Sequence, residues 1–208
     1  MKYFWLSLLT AVAFAGCQNK AERLPFLGRH DYIETENGTD TVYHTIKPFA
    51  FVDQDSTPVT NQTFAGKIYV ADFFFTSCPT ICPVMKTQML RVYEAYADSS
   101  EVLFLSHTID PEYDDVARLH DYAARLGVNS QKWHFVTGDK EKIYAMAQTS
   151  YYVGVRDAGT GPEGFQHSGA FILIDDKGRI RGLYNGTEQT SVDKLIVDIK
   201  ILLNEING

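Results

Sequence analysis

The stretch Gly66–Pro83, GKIYVADFFFTSCPTICP, joins the two features that decide the fold of this chain. Residues 66–75 form an almost continuous run of aromatic and β-branched side chains, which is typical of a strand buried on both faces. From Val84 to Tyr96 the apolar residues recur at helical spacing. The sequence therefore predicts a strand that leads straight into a helix, with two cysteines at the junction.

The same alternation continues after this stretch. A second buried strand is predicted in EVLFLSHTID (101–110), followed by a helix that starts near Pro111 and ends at Gly127. The segment KWHFVTG (132–138) is predicted to be a short strand, with His134 facing outward between two aromatic residues. A short helix then precedes the last third of the domain.

The C-terminal part adds a different pattern. Residues 156–166 are rich in glycine and are predicted to form a loop, and residues 167–186 form two strands joined by a turn at DDKG. An amphipathic helix ends the chain. The order predicts an α/β class and resembles that of thioredoxin-like folds: a three-layer arrangement with a central mixed sheet flanked by helices and an inserted β-hairpin.

Composition limits the classes of function. The chain has 208 residues, of which 45% are hydrophobic and 13% aromatic, so it can build a substantial core. Its formal net charge is -7, and no cluster of lysine and arginine offsets this charge. Binding to a nucleic-acid backbone is therefore not expected.

The N-terminus predicts export. Residues 1–16 combine Lys2, an apolar run too short for a comfortable membrane span, and small residues before Cys17. This pattern resembles a bacterial lipoprotein signal, in which the cysteine becomes the lipid-bearing terminus; a plain signal peptide or an uncleaved anchor is the alternative. We therefore expect a signal peptide (1–16), a flexible tether (17–41) and one domain (42–208), held at the cell or outer membrane and facing the periplasm.

The remaining cysteines, Cys78 and Cys82, are each followed by proline and lie at the predicted helix N-terminus. The positive end of the helix dipole favours thiolates there. Three residues separate the two cysteines, a spacing that can close a disulfide or hold two sulfurs apart around one metal ion. Two thiolates select soft ions such as copper(I) or zinc, and a third ligand would then be needed.

Histidine is the most plausible third ligand, although an isolated histidine is more often a surface or core residue. His167 is the strongest candidate because it follows the glycine-rich loop and opens a strand. His107, at the end of the strand beside the cysteine strand, is a weaker candidate. Met85 and Met89 follow the motif at helical spacing and are interpreted as core packing rather than extra sulfur donors.

Three segments together resemble the Sco/SenC family of thioredoxin-like copper chaperones. They are FFFTSCPTICP (73–83), TIDPEYDD (108–115) and HSGAFILIDDKGRI (167–180), in the order and spacing of that family. The resemblance covers roughly residues 48–204. The resemblance implies a thioredoxin-like fold and a role in carrying a metal ion.

Residue by residue, the resemblance implies that Cys78, Cys82 and His167 bind one copper ion, as Cu(I) or Cu(II). It implies a client, the dinuclear copper centre in subunit two of cytochrome c oxidase or another exported copper protein, together with thiol–disulfide exchange at the two cysteines and a thiol reductant. Asp110 matches the family's Asp-Pro position and is interpreted as tuning the site or as capping a helix. We expect a monomer.

Other interpretations of the cysteine pair remain open. A thiol–disulfide oxidoreductase that needs no metal would use Cys78 and Cys82 as catalytic residues and leave His167 incidental. A peroxiredoxin-like peroxidase is disfavoured because neither cysteine has serine or threonine three residues before it. A purely structural disulfide is also less attractive, since so short a loop contributes little closure entropy.

Overall fold

The computed structural model describes residues 23–36, 38–157 and 165–208; for residues 157 and 165–167 it describes the main chain only. The predicted signal peptide and Cys17 lie outside these ranges. The strands are β1 (Asp31–Thr35), β2 (Gly38–Val42), β3 (Ala50–Asp53), β4 (Pro58–Thr60), β5 (Ile68–Phe74), β6 (Val102–Thr108), β7 (Trp133–Thr137), β8 (Val155–Asp157), β9 (Phe165–His167), β10 (Ala170–Ile174) and β11 (Ile180–Asn185). The helices are α1 (Ile81–Ala95), α2 (Val116–Leu126), α3 (Lys140–Thr149) and α4 (Gln189–Asn207).

Seven of these strands form one mixed sheet in the order β11-β10-β5-β6-β7-β3-β4. Strands β5, β6 and β7 are parallel, and antiparallel strands extend the sheet on both sides. Every residue of β5 is buried, as the continuous apolar run predicts. The C-terminal end of β5, where the cysteine motif begins, is therefore a central position of the sheet.

Helices cover both faces of this sheet. Neighbouring residues of β5 face opposite sides: Phe74 packs against Tyr122 of α2 and lies under Lys86 of α1. Helix α4 packs beside α1, and the Tyr96 hydroxyl donates to the Ile196 carbonyl at 2.5 Å. On the other face, Phe73 packs against Tyr151, which follows α3. The predicted three-layer α/β architecture is confirmed.

Two predicted elements differ from the observed ones. Helix α2 starts at Val116 rather than near Pro111, because the Asp115 side chain accepts from the Arg118 N–H and caps the helix there. The segment predicted as a loop over residues 156–166 has strand residues at both of its ends. These residues belong to β8 and β9, which pair antiparallel as a hairpin that was not predicted, whereas the predicted hairpin over residues 167–186 corresponds to β10 and β11.

Residues 17–41 were predicted to be a flexible tether, but the described part of this segment contains ordered contacts. Leu24 is 8% exposed and belongs to the core, and the Leu27 N–H donates to the Ile180 carbonyl at 2.9 Å. The Arg181 guanidinium donates to the Leu24 and Pro25 carbonyls and lies 4.3 Å from the centre of the Phe26 ring. These contacts dock residues 24–27 on the domain. The segment that follows forms the β1–β2 hairpin.

The tether prediction was wrong for β1 and β2. Polar residues without periodicity also fit an exposed hairpin, in which neither strand has a buried face. The boundary between signal peptide and mature chain stays a prediction. Among the described residues, no helix combines the length and the apolar character needed to span a bilayer.

Candidate metal centre

The cysteine motif forms the turn between β5 and α1. The Cys78 N–H donates to the Phe75 carbonyl at 3.3 Å, and Cys82 is the second residue of α1. Both residues are thiols, with 9% and 2% of their surfaces exposed. Pro83 lies in the first helical turn, as predicted, where its missing N–H leaves no hydrogen bond unmade.

The two thiols meet at the helix N-terminus. A hydrogen bond between Cys78 and Cys82, together with burial, raises the pKa of the Cys82 thiol. A hydrogen bond from the Phe75 backbone and the positive charge of Lys86 act in the opposite direction but are the weaker effects. The hydrogen bond and the burial of Cys82 therefore oppose the stabilisation of a thiolate that is expected at a helix N-terminus.

His167 was predicted to open a strand of the sheet, but it is the last residue of β9, and the sheet strand that follows, β10, begins at Ala170. Strand β10 runs antiparallel to β5 with Ile172 opposite Ala71, so its first residues lie beside the C-terminal end of β5. A Cβ atom built on Gly169 would lie 3.9 Å from Cδ1 of Ile81, the residue before Cys82. Gly169, two residues after His167, thus lies close to the cysteine turn.

The imidazole of His167 lies outside the described part of the structure. Its main chain pairs with Val155 in the β8–β9 hairpin, and the next residue, Ser168, donates its N–H to the Gly154 carbonyl at 3.0 Å. Among the side chains that are described, no three histidine, cysteine, aspartate or glutamate residues are close enough to hold a metal ion.

His107, the weaker candidate, lies on the face of the sheet opposite α1. Its ring stacks on Phe73 at 4.9 Å and meets Phe51 and Tyr151 edge-on at 5.5 Å. Neither ring nitrogen has a hydrogen-bond partner among the described residues, and burial lowers the pKa of His107 to about 3. It is a neutral core residue in an aromatic cage. Met85 is fully buried as well, in line with core packing.

An ion pair beneath the cysteine turn was missed by the sequence analysis. Lys86 Nζ lies 2.7 Å from Oδ2 of Asp72, and both residues are almost fully buried. A signal for it does exist: Asp72 is a charged residue inside a strand predicted to be buried on both faces, and such a charge requires a partner.

A buried carboxylate that fixes the start of the cysteine turn was also missed. Asp114 accepts from the Thr76 N–H at 3.0 Å, from the Thr76 hydroxyl and from the Thr108 hydroxyl at 2.6 Å. Thr76 is two residues before Cys78, so this carboxylate ties the turn to the end of β6.

The other acidic position, Asp110, caps no helix, since Asp115 caps α2. Burial and the charge of Asp114 raise the pKa of Asp110. Its N–H donates to the Thr108 hydroxyl at 3.0 Å. A role in tuning the site therefore stays a prediction, whereas the helix-cap interpretation was wrong.

Known proteins share this fold. A sequence model described as SCO1/SenC matches residues 37–204. A SCO1/SenC family lipoprotein from Bacillus anthracis superposes with a TM-score of 0.70 and 29% identity, covering 77% of this chain and 95% of that one. BsSco, a member of the Sco family of cytochrome c oxidase assembly proteins in which a disulfide switch was identified, gives 0.68 and 30%, covering 76% and 93%.

A third structure was solved with its metal. ScoI from Bradyrhizobium japonicum, with copper bound, superposes with a TM-score of 0.63 and 25% identity, covering 76% of this chain and 99% of that one. These matches confirm the thioredoxin-like class that the order of elements predicts. Because the family model spans most of the sequence, including Cys78, Cys82 and His167, the chain belongs to the SCO1/SenC family.

Proposed function

We propose that this protein carries one copper ion on Cys78, Cys82 and His167 and delivers it to an exported copper enzyme. The observation that supports this most is the approach of the segment between His167 and β10 to the turn that holds the two thiols. The Cys82 thiol is hydrogen-bonded to Cys78, and Gly169, two residues after His167, approaches the Ile81 side chain between them. The copper-bound ScoI structure gives independent support at family level.

The donor set fits copper as cargo. Two thiolates are soft ligands that select copper(I), and one imidazole completes a site that copper(II) also tolerates when another donor is added. Both thiols must lose their protons on loading, and burial raises the pKa of Cys82, so loading releases protons and weakens as the pH falls.

The docked N-terminal segment supports an orientation for the site. Leu27 bonds Ile180 at the start of β11, and this end of the sheet also holds the start of β5, opposite the cysteines. Cys17, the proposed lipid attachment site, precedes Leu24 by seven residues, which span at most about 25 Å when fully extended. The cysteine turn then faces away from the membrane, toward exported clients in the periplasm.

Family membership supports a choice of client. BsSco belongs to a family of cytochrome c oxidase assembly proteins, and the resemblance implies the dinuclear copper centre of subunit two as the recipient. That centre faces the same exterior compartment as a lipoprotein anchored through Cys17. The B. anthracis relative is itself a lipoprotein, which supports the anchor. The protein acts as a monomer in this proposal.

Thiol–disulfide exchange is a second candidate function. The contact between Cys78 and Cys82 means that a disulfide can form without large movements of the turn. Oxidation of the pair would remove both sulfur donors, so an exported thiol reductant would restore copper loading. The disulfide switch identified in BsSco supports this role.

A copper titration of the full chain separates the two candidates. The chain carries Cys17→Ser, so that Cys78 and Cys82 are its only thiols, and it is compared with His167→Ala and with His120→Ala, an exposed histidine paired with Asp55. We expect the parent and His120→Ala to bind one copper(I) per chain with equal affinity, and His167→Ala to bind at least tenfold more weakly, since one of three ligands is lost. Equally tight binding by all three would reject His167 as a ligand, whereas loose binding by all three would favour the metal-independent exchanger.

A further inference from the structure

The buried Asp72–Lys86 pair is not part of the proposed ligand set, yet its geometry is closely defined. Its Nζ and Oδ2 atoms are 2.7 Å apart, and the two residues are 0% and 2% exposed. Removing two charges from water is costly unless the remaining donors and acceptors are satisfied. A pair of this kind therefore calls for a role beyond stability.

Each polar atom near the pair has a defined partner. Lys86 Nζ also donates to the Ser106 hydroxyl at 3.0 Å, and that hydroxyl donates to Asp72. The Trp133 Nε1–H donates to the same hydroxyl at 2.9 Å. The ammonium group is thus held at one position by a network that crosses three strands and α1.

The walls around the ammonium group are aromatic. Nζ lies 4.2 Å from the centre of the Phe74 ring and 5.4 Å from those of Trp133 and Phe135. These rings favour a cation and exclude water. Charges in such surroundings act on their neighbours over longer distances than charges in solvent do.

The cysteine turn is the neighbour on which this charge acts. Cys82 and Lys86 are four residues apart on α1, and both belong to its buried side. Residues four apart on a helix are neighbours on one face, so the Lys86 side chain lies one turn from the Cys82 thiol.

We propose that Lys86 is the fixed counter-charge of the cysteine site, stabilising the anionic, copper-loaded form without binding the metal. This inference rests on the proposed function. Two thiolates, one copper(I) ion and a neutral imidazole carry a net charge of -1, whereas the two thiols they replace are neutral. A buried cation one helical turn away from Cys82 lowers the free energy of the anionic form relative to the neutral one. Asp72 holds the cation in place and offsets part of its effect.

This arrangement predicts effects of opposite sign for the two partners. Lys86→Met removes the positive charge and leaves a side chain of similar shape, so copper(I) should bind about tenfold more weakly. Asp72→Asn removes the offsetting negative charge, so copper(I) should bind at least as tightly as in the parent. Lys86→Arg retains the charge and should retain most of the affinity.

The test measures copper(I) affinity by competition with a chromogenic chelator, in the full chain carrying Cys17→Ser. The same proteins are also equilibrated with glutathione without copper, where a stabilised thiolate favours the reduced pair. We expect Lys86→Met to shift that equilibrium toward the disulfide and Asp72→Asn to shift it toward the dithiol. The double variant Asp72→Asn/Lys86→Met, which contains no unpaired ion, serves if a single variant does not fold.

Equal weakening of copper binding by Lys86→Met and Asp72→Asn would overturn the proposal, because a purely structural pair predicts one sign for both. So would a double variant that binds copper as tightly as the parent. If the parent itself fails to bind one copper, the proposed function is wrong. In that case the glutathione equilibrium tests whether Lys86 stabilises the thiolates. Shifts of opposite sign in Lys86→Met and Asp72→Asn would support this role, and equal shifts would reject it.

Discussion

Gly169 lies against Ile81: a Cβ atom on the glycine would be 3.9 Å from Cδ1 of the isoleucine. The contact joins two segments that are far apart in sequence, one following His167 and the other lying between Cys78 and Cys82. Gly169 is also fixed by Gly186, whose N–H donates to the Gly169 carbonyl at 2.6 Å. The position of the segment that follows His167, relative to the cysteines, therefore depends on the packing of two glycines.

Gly186→Ala should weaken copper binding, whereas Gly169→Ala should not. A Cβ on Gly186 would lie 2.7 Å from Cε1 of the fully buried Phe171 ring and 3.0 Å from the Gly169 carbonyl oxygen. On Gly169 its nearest contact would be 3.5 Å, an ordinary packing distance. We expect Gly186→Ala to lose about 1–3 kcal/mol of unfolding free energy and to bind copper(I) less tightly. Equal copper affinity in both variants would contradict this account of how His167 is positioned.

Asp114→Ala should loosen the cysteine turn. The substitution leaves the Thr76 N–H and hydroxyl and the Thr108 hydroxyl without their acceptor, so we expect a loss of about 3 kcal/mol or more in urea unfolding. The neighbouring Asp115→Ala removes only the cap of α2 and should lose about 1 kcal/mol. Copper affinity should fall in Asp114→Ala and stay unchanged in Asp115→Ala; the reverse order would contradict the role given to Asp114.

The buried ion pair should show strong coupling in stability. Either Asp72→Asn or Lys86→Met leaves an uncompensated charge in the interior, and we expect each to lose about 3–5 kcal/mol. The double variant should be more stable than the sum of the two losses implies, because neither charge remains. Chemical unfolding of the four proteins at one pH measures this coupling, and strictly additive losses would show that the pair is not a unit.

Stability should fall in mild acid because of His107. Burial lowers its pKa from 6.5 to about 3 in the native state, so between these values the unfolded chain takes up a proton that the native protein does not. This group alone lowers the free energy of unfolding by up to about 1.4 kcal/mol per pH unit as the pH decreases through that window. In His107→Phe, unfolding free energies at pH 6.5 and pH 4.5 should differ less than in the parent. An identical pH dependence in the two proteins would show that His107 is not held neutral.

Most of the layered fold could be predicted because its signals are local. The run before the cysteines is apolar on both faces, as a central strand must be, and the helical spacing after Pro83 predicts α1. The β1–β2 hairpin gave no such signal, since all of its described side chains are exposed. His134 was predicted to face outward but is 8% exposed and bonds Asp53 at 3.0 Å, because β7 lies inside the sheet between β6 and β3.

The site could be predicted as a set of residue types but not as an electrostatic environment. Cys78 and Cys82 were found from their spacing and from the strand–helix junction. In the sequence, Lys86 is indistinguishable from an ordinary polar residue of an amphipathic helix. Only the three-dimensional fold brings it to Asp72. Asp114 was hidden in the same way, because Thr76 is 38 residues away in the sequence.

The most direct test of the copper site is X-ray absorption spectroscopy of the copper(I)-loaded full chain carrying Cys17→Ser. The account predicts two sulfur ligands and one nitrogen ligand per copper in this protein, and the loss of the imidazole signal with both sulfurs retained in His167→Ala. A His167→Ala spectrum identical to that of the parent, or a parent spectrum with a single sulfur ligand, would contradict the assignment of Cys78, Cys82 and His167 as the copper ligands.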